Sequence, residues 1–373
     1  MNGTLVKSYL HHTLFKDSPA RRADYIAVTA NEVFPKKFCA HRWFDNSPAI
    51  NRFIKVLPHL RKYVTTITKE PSCDSFATVK EACCDKLLEA KLEFTKVTSL
   101  ELEPFLTSFQ TAKPMAPFLF EDMHNILYKL MSRIVKSSVI NGANSCSKLF
   151  AINVKEVSSS LKLPKDIDVG FGARKALKQS KASEVKQLSL YNDCLKFLTG
   201  CISKLIERSP LKYSLVCGIS CLDPSCILAN PQQAEKRIQL TLEVLSDNGK
   251  ITSVTADRAK DQFSSFLKGD SNKECLQAFS RDNGRLDGLY ASLIGTKADF
   301  KELWSVAKII FIQSHGNATV ESGFSVNEDI LIENLKEESL VAQRIVYDCN
   351  KGWWCYKCGY QQKDDTECTL CSK

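Results

Sequence analysis

Apolar residues recur at three- and four-residue intervals along most of this chain, and no other feature constrains its fold as strongly. Such spacing places the apolar side chains on one face of an α-helix, whereas a half-buried strand requires strict alternation. The helical spacing is found in residues 48–67, 76–94, 123–134, 188–205, 238–245 and 300–311. No clear alternating run appears in the middle of the chain. The sequence therefore predicts a mainly α-helical protein.

Two kinds of interruption are expected within this helical pattern. Pro58 lies inside the first stretch, where the missing N–H and the ring favour a kink or a break. Residues 141–187 are rich in Ser, Lys and Gly and only weakly periodic, so we expect a loop-rich, exposed segment there. Its lysines could contact phosphate, although a solvated linker is the simpler interpretation; they are Lys175, Lys178, Lys181 and Lys186.

Composition limits the class of protein. The chain has 373 residues, of which 44% are hydrophobic and 25% charged, as in folded proteins that form two domains or one core with a large insertion. No run of about eighteen apolar residues is present, so a membrane partner is not expected. The N-terminus lacks an apolar signal core, so secretion is not expected either. Most of the 16 cysteines lie singly among apolar residues and are predicted to be reduced core thiols, among them Cys39, Cys73, Cys194, Cys201 and Cys275.

The net charge of +9 is unevenly distributed. Residues 1–62 contain eleven basic and four acidic residues, whereas residues 321–349 contain two basic and seven acidic residues. A basic front end favours polyanions such as DNA, and the alternative is a solvated surface. The candidate nucleic-acid contacts are Arg21, Arg22, Lys36, Lys37 and Arg42.

The acidic segment has the signature of a helix. Ser325 and Glu328 have the spacing of a capping box, and apolar residues behind them fall on one face. Such a helix must bury its apolar stripe, either on its own domain or against a second copy of the chain. The stripe residues are Leu331, Leu335, Ala342, Ile345 and Val346.

The last cysteines form a C-x2-C-x9-C-x2-C pattern, made by Cys355, Cys358, Cys368 and Cys371. Each C-x2-C pair can present two thiolates to one ion, and two pairs close a tetrahedral site for which zinc is the favoured metal. A module of about twenty residues has little core of its own, so the metal would supply its folding free energy. The sequence predicts a structural four-cysteine zinc module in residues 350–373, and the alternative is a cysteine-rich tail.

Three segments, taken in order, resemble the hAT superfamily of cut-and-paste DNA transposases and their domesticated descendants. They are TLFKDSPARRADY at residues 13–25, FPKKFCAHRW at residues 34–43 and SHGNATVESGFS at residues 314–325. The last segment is similar to the start of the family's C-terminal dimerisation region, which adds Phe324 to the expected self-association residues. The resemblance covers roughly residues 13–348, and the helical middle matches only in general character.

The resemblance implies a remnant of a ribonuclease-H-like core with a large helical insertion. It suggests four parts: a basic core entry (1–47), a helical insertion-like domain (48–290), the hAT dimerisation region (291–349) and the zinc module (350–373). In the family, three acidic residues hold two metal ions, and the third acid corresponds to Glu321. The first two acids are expected before residue 1. A divalent metal at a complete catalytic site is therefore unexpected here, and Glu321 would be a relic.

The zinc module resembles the Ran-binding-protein type of finger, because a tryptophan precedes the first C-x2-C pair. Such fingers bind ubiquitin or single-stranded RNA, although the loop 360–367 carries one Lys and three acids here. Together these features predict a nuclear, catalytically incomplete transposase-derived protein that self-associates and binds DNA or protein. The alternatives are a metal-dependent DNA transposase or nuclease whose missing acids come from elsewhere, and a zinc-finger adaptor.

Overall fold

The computed structural model describes residues 13–38, 46–143, 145–154 and 159–313. It also describes the short stretches 338–339 and 341–342, and the backbone of 353–354 and 361–362. Within these residues the protein is mainly α-helical, which confirms the prediction from apolar spacing. The paired strands are only two residues long and lie near the C-terminus.

The helices are numbered α1 to α16 in chain order. They are α1 (Pro19–Thr29), α2 (Ser47–Thr66), α3 (Asp74–Cys84), α4 (Leu88–Phe109), α5 (Leu119–Ile134), α6 (Ser137–Ile140), α7 (Cys146–Phe150), α8 (Phe171–Gln179), α9 (Glu184–Arg208), α10 (Ser214–Ile219), α11 (Pro224–Ala229), α12 (Pro231–Asp247), α13 (Ser253–Lys268), α14 (Asp270–Ala278), α15 (Leu286–Tyr290) and α16 (Lys301–Phe311). A π-helical turn, Ala291–Gly295, follows α15. The strands are β1 (Trp353–Trp354) and β2 (Gln361–Gln362).

The chain divides into two compact units. Unit 1 contains residues 1–106 and 124–209, and unit 2 contains residues 107–123 and 210–373. This division differs from the boundaries expected from the sequence, in which residues 48–290 form one helical domain. Boundaries between units depend on which helices pack together, and apolar spacing within one helix carries no information about its partner.

One core of unit 1 joins the basic front end to α2 and α3. Tyr25 of α1 is fully buried, with its ring 5.1 Å from Phe15 and 5.7 Å from Tyr63 of α2. Residues 13–38 thus belong to the same core as α2 and do not form a separate element. Helix α2 continues through Pro58 to Thr66, so of the kink or break expected there, the break does not occur.

The second core of unit 1 is built by α4, α5, α8 and α9. Ala173, Ala176 and Leu177 of α8 are buried in it. This corrects the expectation of a loop-rich, exposed segment at 141–187, because that stretch includes the nine-residue helix α8 and the beginning of α9. Small alanine side chains let α8 pack closely without the strong apolar stripe by which helices are recognised in a sequence.

Unit 2 is organised around α12 and α13. Helix α10 packs on α12, α12 packs on α13, and α13 packs on α16. Gly218 permits the close approach of α10 to α12, since a Cβ atom there would lie 2.5 Å from Oγ1 of Thr241. Phe263, Phe266 and Tyr290 are fully buried between these helices. None of the described helices is long and apolar enough to cross a membrane.

Candidate functional site

The candidate zinc site is bracketed by the two short strands. β1 and β2 pair antiparallel, with Trp353 opposite Gln362 and Trp354 opposite Gln361. Cys355 and Cys358 lie between these two strands in the sequence. A C-x2-C pair can offer two thiolates to one ion, so the four cysteines remain the candidate donor set. The side chains of all four candidate ligands lie outside the described residues, including Cys368 and Cys371.

Most residues predicted for catalysis and self-association also lie outside the described residues. They are Glu321, Phe324, Leu331, Leu335, Ile345 and Val346. Residues 341–342 are helical, and there Ala342 is exposed and Val341 is 54% exposed. Among the residues that the structure does describe, no group of three or more His, Cys, Asp or Glu side chains is placed to hold a metal ion.

Two of the arginines predicted to contact nucleic acid, Arg21 and Arg22, form hydrogen bonds within the protein. Arg21 donates to the backbone oxygen of Leu14 at 2.9 Å, and Arg22 donates to that of Phe15 at 2.9 Å. These bonds tie α1 to the preceding turn, which is a structural role that the charge count did not reveal. Lys36 and Lys37 are exposed, and Arg42 lies outside the described residues.

A groove of about 570 Å³ opens at the N-terminus of α3. Cys73 lines it and forms the N-cap of α3, with its sulfur 3.3 Å from the Ser75 hydroxyl. Burial acts to raise the pKa of the Cys73 thiol. The hydrogen bonds to Ser75 and to the Phe76 backbone N–H, together with Arg21, outweigh burial and lower this pKa. Cys73 thus combines partial exposure with an environment that favours the thiolate.

The other thiols predicted to lie in the core do not share one environment. Cys194 is buried, and burial raises its pKa to about 12. Cys201 is partly buried, whereas Cys275 is exposed, which corrects the prediction for that residue. Cys39 lies outside the described residues. The residues next to each cysteine in the sequence therefore did not distinguish the buried Cys194 from the exposed Cys275.

We expect Cys73 to be alkylated faster by iodoacetamide near neutral pH than the exposed Cys275. The thiolate is the reacting species, and its fraction rises when the pKa falls. Replacing Ser75 by Ala removes a hydrogen bond that lowers the pKa, so the alkylation rate of Cys73 should fall severalfold. Peptide mass spectrometry over a pH series measures both rates.

The urea-unfolded protein is the control, because Cys73 and Cys275 should react at similar rates once the fold is lost. A Cys73 rate that does not exceed the Cys275 rate in the folded protein, or that is unchanged in Ser75→Ala, would contradict this assignment.

A charged cluster inside unit 2 was not anticipated from the sequence. Arg237 of α12 is only 8% exposed, and its guanidinium donates to Glu121 at 2.6 Å. The same group donates to the Ser220 hydroxyl at 2.9 Å and to the sulfur of Cys226 at 3.2 Å. Burial acts to lower the pKa of Arg237, but the hydrogen bond and charge of Glu121 outweigh it and raise that pKa.

A second arginine extends this cluster. Arg281 donates to Asp122 at 2.7 Å and lies 3.5 Å from Oδ2 of Asp223, whose side chain is only 1% exposed. Asp223 also accepts from the backbone N–H of Ser225 and so caps α11. Burial raises the pKa of Asp223, and the hydrogen bonds and Arg281 act against that shift.

The two arginines connect residues 116–123 to the rest of unit 2. Their carboxylate partners Glu121 and Asp122 accept hydrogen bonds from them, and the rings of Phe120 and Phe118 cover the two guanidinium groups at 5.2 and 3.8 Å. A covered and internally paired cluster of this kind acts in packing and orientation. Glu121 and Arg237 are 116 residues apart in the chain, so no local pattern could have paired them.

The chain was also compared with known families, curated proteins and solved structures. No family model, no curated protein and no solved structure matches this chain.

Proposed function

We propose that this protein is a nuclear, transposase-derived binding protein that self-associates and carries a structural zinc ion at its C-terminus. The proposal combines the hAT-like segments with the strand pairing around the first C-x2-C pair, which is the observation that carries its zinc-binding part. Under this proposal residues 48–290 derive from the helical insertion of a ribonuclease-H-like core. The protein would act by binding and self-association, and Glu321 would be a relic of the catalytic site.

Cys355, Cys358, Cys368 and Cys371 would hold the zinc ion. Four thiolates are the donor set that Zn²⁺ takes in closed structural sites, and the bound ion would contribute folding free energy to a segment too short for its own core. The antiparallel pairing of β1 with β2 supports this role, because it turns the chain back on itself on either side of the first cysteine pair.

Self-association would use the apolar stripe of the last helix. The helical backbone at residues 341–342 is compatible with the capping box at Ser325 and Glu328. The exposed Val341 and Ala342 in that stretch leave apolar surface open to a partner. A second copy of the chain is the partner that the resemblance to a dimerisation region favours.

Native mass spectrometry of the full chain, before and after chelation, tests both parts of the proposal. We expect a dimer that carries one zinc ion per chain and loses the metal to the chelator. The double variant Cys355→Ser/Cys358→Ser should lose the zinc and keep the dimer. Leu335→Glu should produce a zinc-loaded monomer, because a charge on the apolar stripe disfavours its burial.

Cys275→Ser is the matched control, since Cys275 is an exposed thiol outside the module. It should change neither metal content nor subunit number. A metal-free wild-type chain would remove the zinc module from the proposal, and a monomeric wild-type chain would remove self-association. Metal-dependent DNA cleavage that disappears in Glu321→Gln would replace the proposal with an enzymatic function.

A further inference from the structure

Helix α8 exposes an aromatic ring among basic side chains. Phe171, Arg174, Lys175 and Lys178 follow one another at three- and four-residue spacing, which places them on one face of the helix. All four are exposed, and Phe171 is 84% exposed, the highest value among the large hydrophobic residues described. We call these four residues the α8 surface. A phenyl ring this exposed is open to contact by a partner.

The α8 surface is held on a rigid support. The opposite face of α8 is buried in the second core of unit 1 through Ala173, Ala176 and Leu177. Gly170, just before the helix, has φ of +87°, and a Cβ atom there would lie 2.9 Å from Cγ1 of Val97. The chain can therefore enter α8 tightly against α4 only with glycine at this position.

A buried arginine fixes the segment that leads into α8. The Arg133 side chain is 4% exposed and donates to the backbone oxygen of Asp168 at 2.9 Å. The Asp168 backbone N–H in turn donates to the Arg133 oxygen at 2.9 Å. Arg133 also pairs with Glu101 at 2.9 Å. The position of Phe171, three residues after Asp168, is thus set by hydrogen bonds to α5.

Positive charge predominates in the sequence around the α8 surface. Residues 171–188 contain five basic residues and one acid, Glu184. Three acids precede α8 or lie near its beginning. Asp168 is 4.0 Å from Arg174 and Glu93 pairs with Lys96 at 2.9 Å, whereas Asp166 is exposed. The structure gives Lys175 and Lys178 no ion pair among the described residues. A polyanion would therefore meet the two lysines with little competition.

We propose that the α8 surface binds a single-stranded polynucleotide, with phosphates on its basic side chains and an unpaired base stacked on Phe171. Aromatic rings beside cations are the combination by which proteins bind single strands, because every base has a face that can stack. A duplex withholds its bases from such stacking. Phosphates and base faces are common to DNA and RNA, so strands of one sequence should bind alike in either form. A lipid surface fits less well, because Phe171 is the only large apolar side chain on this face and offers little area to insert among acyl chains.

Fluorescence anisotropy of the full chain with a labelled mixed-sequence single strand tests the proposal, with the matching duplex as comparison. We expect tighter binding of the single strand, in DNA and RNA form alike. Phe171→Ala should weaken single-strand binding about tenfold and leave the salt dependence unchanged. The logarithm of the binding constant falls linearly with the logarithm of the salt concentration. The double variant Lys175→Gln/Lys178→Gln should make that slope less steep by about 1.4, or about 0.7 per lost phosphate contact.

Two matched controls lie in unit 2. Tyr213→Ala removes another exposed aromatic side chain, and Lys260→Gln/Lys268→Gln removes two exposed lysines from α13. Both should bind like wild type. Circular dichroism should show unchanged helix content in every variant, since the replaced side chains are exposed.

Three results would overturn the proposal. One is single-strand binding that is unchanged by Phe171→Ala and by the α8 lysine variant. Another is single-strand binding that is lost in Lys36→Gln/Lys37→Gln but kept in the α8 variants, which would assign binding to the front end. The last is Phe171-dependent binding to phosphatidylserine vesicles without oligonucleotide binding, which would make the partner a lipid surface. Each outcome is separate from the zinc and dimer measurements.

Discussion

Replacing Arg237 by Met is expected to destabilise unit 2 by about 3 kcal/mol, the lower end of the range for breaking a buried ion pair from one side. The lower end is appropriate because Glu121 is 30% exposed and water partly compensates for the lost partner. The loss also leaves the Ser220 hydroxyl and the sulfur of Cys226 without their donor. Urea unfolding measures the change, with hydrogen exchange of α12 as the local readout.

A second variant separates charge from packing. Glu121→Gln added to Arg237→Met removes the stranded carboxylate, so the double variant should recover part of the lost stability. Arg258→Ala is the surface control: its ion pair with Glu302 lies in the same unit, but the arginine is 65% exposed. That control should leave the urea midpoint nearly unchanged. Equal effects at Arg237 and Arg258 would show that the cluster does not stabilise unit 2.

Phe266→Ala is expected to cost about 3–5 kcal/mol, the range for removing a buried phenyl ring. Phe266 is fully buried, and its ring lies 6.2 Å from Phe263, 5.8 Å from Tyr290 and 6.4 Å from Phe300. These contacts join α13 to α15 and to the turn before α16, so the cavity left by the substitution cannot close by moving one side chain. Urea unfolding followed by circular dichroism at 222 nm measures the loss.

Val254→Ala serves as the matched control, because Val254 lies on the same helix and is 60% exposed. Its effect should stay within about 0.5 kcal/mol. A loss at Phe266 of the same size as the loss at Val254 would mean that the aromatic contacts do not contribute to the core of unit 2.

Residues 171–179 illustrate why sequence reasoning misplaced one part of the fold. The buried side of this helix is made of two alanines and one leucine, which give a weak apolar signal, and the neighbouring glycines suggested a loop. The burial of this side depends on α4, α5 and α9 being nearby, and that information is not local. The exposed side, with Phe171 beside basic residues, acquired meaning only once the segment was seen to be a fixed helix.

One candidate site could be recognised in the sequence, whereas another became evident only in the folded structure. The four terminal cysteines could be selected from the sequence because metal binding imposes short, regular spacing on its ligands. Cys73 could not be separated from Cys194, since the adjacent residues do not reveal which thiol is buried. Its thiolate-favouring environment arises from Ser75, from the beginning of α3 and from Arg21, 52 positions earlier in the chain, which only the folded structure brings close.

The sequence by itself determined that this protein is mainly helical, because helix formation depends on neighbours three and four residues apart. Tertiary structure alone decided the division into two units, the pairing of Glu121 with Arg237 and the exposure of Phe171. These features depend on contacts between residues far apart in the chain. Such contacts form only when packing and desolvation have brought whole helices together, and no local pattern of residue types encodes them.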